Sequence, residues 1–312
     1  MMLRNVPWPD GKTFAFSVFD DTDLATVNCL QPVYDHLLAH GIRVTKSVWP
    51  LAGSIAPAVV GGMTCDDAKY LAWIRSLQAN GIEIGWHNAT YHSSPREATR
   101  EGLERFRELF GQYPRTMANH TTCQEGIYWG ENRVSGSRRT IYNILTRGRT
   151  RGWFRGHVEG DRFFWGDLCK SHLKYVRNFV FADINTLSCC PWMPYADPNR
   201  PFVNAFYASS EGSNVESFAQ TIDEANQDRL EAEGGCCIMY AHFAYGFFRD
   251  GRLNERYKFL IERLAKKNGW FVPLGELLDY VVRVRGVQVI KATERAELER
   301  RWLWHKMLVG AN

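Results

Sequence analysis

The sequence lacks the long apolar run that a membrane-spanning helix requires. No segment approaches the roughly 18 consecutive apolar residues of such a helix. The first residues, MMLRNVPWPDGKTF, also lack the apolar core of about 7–15 residues that characterises a secretory signal peptide. From these two absences we expect a cytoplasmic protein with no membrane span.

An excess of charge of one sign is also missing. The 312 residues include 38 Lys and Arg against 34 Asp and Glu, which gives a net charge of +4. No run of basic residues is long enough to form the positive surface that nucleic-acid-binding proteins present to phosphates. We therefore expect no nucleic-acid partner.

The cysteines lack the spacing of a zinc or redox motif. None of the eight forms a C-x-x-C pair, and the two adjacent pairs, Cys189-Cys190 and Cys236-Cys237, lie in apolar surroundings. A small hydrophobic thiol in such a setting is typical of a protein core. We predict buried free thiols, and no cysteine stands out as a nucleophile.

What the sequence does contain is a regular alternation of strand-like and helix-like segments. Apolar runs are followed by amphipathic stretches of helical length, the pattern of repeated β–α units around parallel strands. One large domain is favoured over two, because barrels built from such units routinely exceed about 200 residues. The predicted strands include residues 13–19, 42–51, 82–86 and 236–242.

An aspartate pair ends the first predicted strand. Asp20 and Asp21 close the run TFAFSVFDD, and neighbouring strand residues point to opposite faces. One such carboxylate can bind a cation while the other handles a proton. The alternative is an N-cap for the next helix, a role that Thr22 or Asp23 could equally fill.

Three histidines also follow predicted strands. His87 and His92 lie in IGWHNATYHSS after the third strand, and His242 lies in MYAHFAYGF after a late one. The carboxyl ends of parallel strands open onto one face, so we expect these side chains to meet the aspartates there. Two imidazoles and one carboxylate leave coordination positions open, as in a catalytic metal site. Taken singly, His87 could instead be a hydrogen-bonded polar residue and His92 an extra cap for the next helix, whereas His242 interrupts an apolar run and is harder to explain by packing.

These motifs resemble the polysaccharide deacetylases, the NodB-like carbohydrate esterase family 4. VFDD is similar to the family's TFDD motif, which implies that Asp20 is the base and Asp21 a metal ligand. The resemblance further implies that His87 and His92 bind the metal and that His242, in YAHF, is the general acid. The implied fold is α/β, a distorted (β/α)7 TIM-like barrel.

The domain prediction follows from the extent of that resemblance. We assign residues 1–285 to the deacetylase barrel and residues 286–312 to a C-terminal helical extension. Leu298, Trp302 and Leu303 are apolar positions in this extension. They could pack on the barrel or on a second subunit of a homo-oligomer.

The chain departs from the family pattern in two places. The family spaces its histidines as H-x3-H, whereas this chain has H-x4-H. In place of the family's arginine-proline-glycine motif stands ANHTTCQEGIYWG, which offers His120 as a replacement ligand, a core residue or, the option we favour, a substrate contact. Further candidates for substrate binding are Trp192 and Tyr245 as aromatic walls, and Asp183 or Asp197 to orient His242.

The implied chemistry is metal-assisted hydrolysis of an amide bond. We expect removal of an acyl group, with N-acetyl as the first choice, from an amino sugar or polysaccharide precursor. Zinc is the first choice of ion for two imidazoles and a carboxylate, and cobalt, manganese and nickel are alternatives. A second hypothesis is hydrolysis of a small non-carbohydrate amide or cyclic imide. A third is a glycan-binding protein that keeps the barrel without turnover.

Overall fold

The computed structural model describes residues 6–309 of the chain. Two 3-10 turns occur in this part, at Pro9–Gly11 and Gly130–Arg133. The strands are β1 (Phe14–Asp20), β2 (Thr45–Val48), β3 (Glu83–Trp86), β4 (Thr116–Met117), β5 (Tyr175–Phe181), β6 (Tyr195–Ala196), β7 (Ala205–Ser210), β8 (Cys236–Ala241), β9 (Phe248–Arg249), β10 (Arg252–Leu253), β11 (Gly269–Phe271) and β12 (Gln288–Val289). The helices are α1 (Val27–Ala39), α2 (Ala68–Ala79), α3 (Arg96–Phe110), α4 (Ser137–Leu145), α5 (Gly166–His172), α6 (Thr186–Cys189), α7 (Val215–Thr221), α8 (Glu224–Ala232), α9 (Glu255–Ala265), α10 (Leu274–Arg285) and α11 (Ala292–Val309).

Seven parallel strands close into a barrel in the order β1-β2-β3-β4-β5-β7-β8, with β8 pairing back onto β1. The predicted distorted (β/α)7 barrel is confirmed. The distortion is visible in the two-residue β4 and in the register shift between β5 and β7 after Arg177. Strand β11 adds to the first half of β1, while β6 and β12 extend the sheet outside the barrel.

The barrel strands are buried on both faces, because helices cover the outside and side chains fill the inside. Every residue of β1 and β5 is buried, including the charged Asp20 and Arg177. Helix α1 begins at the Thr26 cap and ends before Gly41, which has a φ of 70° that glycine adopts without strain. Residues 215–232 form two helices, α7 and α8, because the Asp223 side chain caps the start of α8.

The last described helix, α11, packs on the barrel layer. Leu298, Trp302 and Leu303 are buried within the hydrophobic core, and the Trp302 ring stacks on Tyr142 of α4 with centroids 5.6 Å apart. Glu299 is also buried and accepts hydrogen bonds from Arg138 and Ser135. The helix thus contributes both apolar contacts and a buried ion pair to the fold.

Two further expectations concern the cysteines and membrane-spanning helices. All eight cysteines are free, as predicted, although Cys29 and Cys189 are half-buried and not fully buried. Among the helices between residues 6 and 309, none combines the length and the apolarity needed to cross a membrane.

Candidate metal centre

Four titratable side chains meet where the barrel strands end. Asp23 follows β1, His87 follows β3, His120 follows β4 and His242 follows β8. Parallel strands bring these positions to one face, as expected from their topology. The residues are nevertheless almost inaccessible, with exposed fractions of 5% for Asp23, 1% for His87, 0% for His120 and 9% for His242.

Asp23, His87 and His120 form a set of potential metal ligands. One ligand atom from each lies within 4.8 Å of the others. The Asp23 Oδ1 atom is 3.2 Å from His120 Nδ1 and 3.6 Å from His87 Nε2. Two imidazoles and a carboxylate are the ligand types of a catalytic zinc site with open positions.

The unpaired polar atoms of this set support its fit to a cation. Asp23 Oδ1, His87 Nε2 and both ring nitrogens of His120 are buried and have no hydrogen-bond partner among the described residues. Buried polar atoms without partners are costly, so their convergence fits a ligand that satisfies them together. His87 Nδ1 lies 3.0 Å from the Ala118 carbonyl oxygen, to which it donates, and this leaves the Nε2 lone pair free for a metal.

His242 lies beside this set and contacts Asp23. Its Nε2 is 2.8 Å from Asp23 Oδ2 and its Nδ1 is 2.8 Å from the Ser213 carbonyl oxygen. Both partners accept hydrogen bonds, so each ring nitrogen carries a proton and the imidazole is cationic. Burial lowers the pKa of His242, but the hydrogen bond to Asp23 and the charge of Asp21 outweigh burial and raise it. The result is a proton donor at the edge of the cluster.

The charge of Asp23 follows from the same contacts. Burial raises the pKa of this carboxyl, but interactions with His120, His242 and His87 overcome burial and hold the pKa well below its ordinary value. Asp23 is therefore a carboxylate surrounded by three imidazoles.

The structure separates Asp20 from Asp21, as strand alternation predicts. Asp20 faces the helix layer, where its Oδ2 lies 3.0 Å from Lys46 Nζ and accepts a hydrogen bond from the Tyr34 hydroxyl at 2.8 Å. Its Oδ1 accepts a hydrogen bond from the Phe243 backbone at 2.8 Å. Among the described residues no histidine lies within ion-pair distance of Asp20, so its geometry lends no support to the predicted role as base.

Asp21 faces the barrel interior and borders the cluster. Arg177 of β5 donates two hydrogen bonds to it, from Nη1 to Oδ1 at 3.1 Å and from Nη2 to Oδ2 at 2.5 Å. Although burial lowers the pKa of Arg177, the Asp21 charge raises it above its usual range. Asp21 lies 4.0 Å from His87 Nδ1 and 3.9 Å from His242 Nε2. It is thus a fixed carboxylate next to the cluster, whereas Asp23 lies within the set of potential ligands.

His92 is not brought to the cluster. Asn88, directly after His87, has a φ of 68°, and the chain turns there. His92 Nε2 then accepts a hydrogen bond from the Ser54 backbone at 2.9 Å, which ties the loop after β3 to the loop after β2. The H-x4-H spacing therefore places one histidine in the cluster and the other in a contact between loops. His120 is the second imidazole of the set.

The remaining predicted residues divide between the site and the scaffold. The Tyr245 ring is half-buried and packs edge-on against His242, with centroids 4.9 Å apart. Asp183 pairs with Arg229 at 3.1 Å and Asp197 pairs with Arg200, so neither orients His242. Trp192 is a buried core residue.

Asp23, Arg177 and Trp49 are functional candidates that sequence reasoning did not assign. The Trp49 ring follows β2 and borders the cluster, with its centroid 6.0 Å from that of His87 and 5.3 Å from that of His120. A charged residue inside the apolar run YVRNFVF was the available signal for Arg177, because a buried guanidinium requires a partner. The signal for Asp23 was only that it is a third acid, two positions after Asp21.

A second layer of hydrogen bonds positions the cluster. The Asn88 Oδ1 atom accepts a hydrogen bond from the His120 backbone at 3.1 Å, while its Nδ2 donates to Glu125 Oε1 at 2.8 Å. Glu125 Oε2 accepts from the Ser94 backbone at 3.0 Å. These bonds connect the loops that carry His87 and His120. Burial raises the pKa of Glu125 to about 7, although its hydrogen bonds act in the opposite direction.

The raised pKa of Glu125 predicts a pH-dependent stability. At pH values between the ordinary carboxyl pKa and about 7, Glu125 holds a proton in the folded state that it has lost in the unfolded state. The free energy of unfolding therefore falls as pH rises through this window. The loss amounts to at most about 3 kcal/mol. Urea unfolding at pH 5 and pH 7.5 should show a smaller decline in the free energy of unfolding for Glu125→Gln than for the wild type. Glu97→Gln, on the exposed face of α3, is the control, and an equal decline in Glu125→Gln would contradict the assignment.

Comparison with known proteins identifies the fold. No family model and no curated protein matches the sequence. Among solved structures, Puue allantoinase matches with a TM-score of 0.52 and 14% identity over 91% of this chain and 95% of that one. A peptidoglycan deacetylase from Bacillus subtilis has a TM-score of 0.41 and 12% identity over 95% of this chain and 99% of its own. A family 4 acetyl xylan esterase from Clostridium thermocellum, in complex with a cobalt ion, has a TM-score of 0.40 and 13% identity over 90% and 95%.

Solved polysaccharide deacetylases are thus among the structures similar to this chain, as the motif resemblance predicted. At 14% identity, the likeness to the allantoinase supports the barrel fold and carries nothing about the reaction.

Proposed function

We propose that this protein is a metal-dependent hydrolase of non-peptide amide bonds. The observation that carries the proposal is the buried set of Asp23, His87 and His120, whose ligand atoms converge without other partners. Zinc is the first choice for this donor set, with cobalt, manganese and nickel as alternatives. Compared with the roles expected from the sequence, Asp23 replaces Asp21 and His120 replaces His92 as ligands.

The residues around the ligands divide the proton transfers. When bound, the cation would polarise the acyl carbonyl and stabilise the charge that develops on its oxygen. Asp21, held by Arg177 and within 4.0 Å of the His87 and His242 rings, would accept a proton from the attacking water. His242, protonated and held by the Ser213 carbonyl, would donate a proton to the departing amine.

The burial of the ligands limits the substrate. Because His87 and His120 are almost fully covered, only a small acyl group can reach them unless the surrounding loops move. This favours a small acyl group such as N-acetyl, on an amino sugar or polysaccharide precursor, over a longer acyl chain. The same observation favours the second candidate, a small non-carbohydrate amide or cyclic imide. Screening the metal-loaded protein against both compound classes would identify the substrate class. Saturable sugar binding without turnover under any added metal would instead indicate a glycan-binding protein.

The proposed base can be tested separately from the ligands. Asp21→Asn should reduce kcat by about 100-fold to 10,000-fold, the usual contribution of general base catalysis, while metal content stays unchanged. Circular dichroism would verify folding, since the substitution leaves Arg177 without its ionic partner. Asp20→Asn is the matched variant. A large loss of kcat in Asp20→Asn combined with full activity in Asp21→Asn would return the role of base to Asp20.

A further inference from the structure

A second cluster of potential metal ligands lies between helices α1 and α9. His36 lies in the last turn of α1, His40 is the residue directly after that helix, and Glu262 lies on α9. One ligand atom from each lies within 4.8 Å of the others. Side chains four residues apart share one face of a helix, and histidines with this spacing can bind a single zinc ion.

The hydrogen bonds of this cluster prepare it for a cation. His40 Nδ1 lies 2.8 Å from the His36 carbonyl oxygen and donates to it, so the Nε2 lone pair of His40 is free. His36 Nε2 is buried and has no hydrogen-bond partner among the described residues. The two rings lie with centroids 4.5 Å apart. Two imidazoles with available lone pairs and one carboxylate thus converge here as well.

The cluster is at the opposite end of the barrel from Asp23. Helix α1 begins after the carboxyl end of β1 and runs back, so its last turn reaches the end where the strands begin. Glu262 likewise lies in the second half of α9. The cluster shares no residue with the first one and has no part in the proposed catalytic mechanism. Lys258, a positive charge close to His36, is 3.8 Å from the carboxylate of Glu255.

We propose that His36, His40 and Glu262 bind a divalent transition-metal ion, with zinc as the first choice, that links α1 to α9. Three protein ligands leave at least one coordination position for water. Because the unfolded chain does not hold these ligands together, binding stabilises the fold. The site is structural and independent of the proposed hydrolase function.

The test counts zinc ions and measures thermal stability. Full-length protein is stripped with chelator, dialysed against ZnCl2 and analysed for zinc per chain. We expect two ions in the wild type, one in His40→Ala, one in Glu262→Gln and two in Asp35→Asn, a control on an exposed neighbour in α1. Added ZnCl2 should also raise the unfolding temperature by about 5 °C more in the wild type than in His40→Ala.

A second arm separates this proposal from the catalytic one. In an Asp23→Asn background one zinc ion should remain, and it should be lost when His40→Ala is added. Equal zinc content and equal thermal shift in the wild type, His40→Ala and Glu262→Gln would overturn the second site and leave the proposed function untouched. If the wild type binds one zinc ion that Asp23→Asn keeps and His40→Ala loses, the proposed function is overturned and the second site stands.

Discussion

Asp23→Asn should reduce hydrolysis by at least about 1,000-fold. Asn keeps the size of the side chain but removes the charge that the surrounding imidazoles stabilise. It also weakens a ligand of the cation, whose stabilisation of charge in the transition state is worth several kcal/mol, and each 1.36 kcal/mol corresponds to a tenfold change in rate. The measurement is kcat/KM on the substrate found in the screen, with saturating metal.

The matched control for this prediction is Asp183→Asn. Asp183 also follows a barrel strand, but its carboxylate contacts Arg229 and not the histidines. Its activity should stay within about threefold of the wild type, as expected for a partly exposed ion pair. Retention of more than a tenth of wild-type activity by Asp23→Asn would contradict the ligand assignment.

Arg177→Met should destabilise the protein by about 3–5 kcal/mol, the usual cost of breaking a buried ion pair on one side. Arg177 and Asp21 are both about 3% exposed, so the substitution leaves a carboxylate without its ionic partner inside the barrel. The Arg177 guanidinium also packs on the Tyr240 ring at 4.4 Å, a contact that Met keeps only in part. Urea unfolding at neutral pH measures the loss.

Two further variants show whether this loss of stability comes from the buried ion pair. Arg96→Met removes a partner from the largely exposed Arg96–Asp167 pair and should cost less than about 1 kcal/mol. Adding Asp21→Asn to Arg177→Met should recover part of the stability, because the uncompensated charge is gone. If Arg177→Met lowers the free energy of unfolding no more than Arg96→Met does, the ion pair does not hold Asp21 in place.

The barrel could be predicted from the sequence because its signal is repeated in every β–α unit. Strand alternation also predicted that Asp20 and Asp21 face opposite sides. It could not show which side held the histidines, since that depends on strand register. In the sheet Asp20 lies directly opposite Lys46 of β2. The Lys46 ammonium therefore balances the charge of the Asp20 carboxylate, which lies outside the barrel interior.

The identity of the proposed ligands depended on loop conformation, which hydrophobic periodicity does not encode. The chain turns at Asn88 and His92 contacts Ser54, while His120, just after the end of β4, lies in the cluster. Asp23 looked like a candidate helix cap, yet Thr26 caps α1 and leaves Asp23 free to face the imidazoles. Family spacing led to His92, and only the three-dimensional positions indicate His120.

The most direct test of the catalytic site is the zinc content of His120→Ala and His92→Ala, both made in a His40→Ala background so that the second cluster does not contribute. The account predicts about one zinc ion per chain in the background and in the His92→Ala variant, and almost none in the His120→Ala variant. Zinc retained in His120→Ala and lost in His92→Ala would contradict the ligand set of Asp23, His87 and His120.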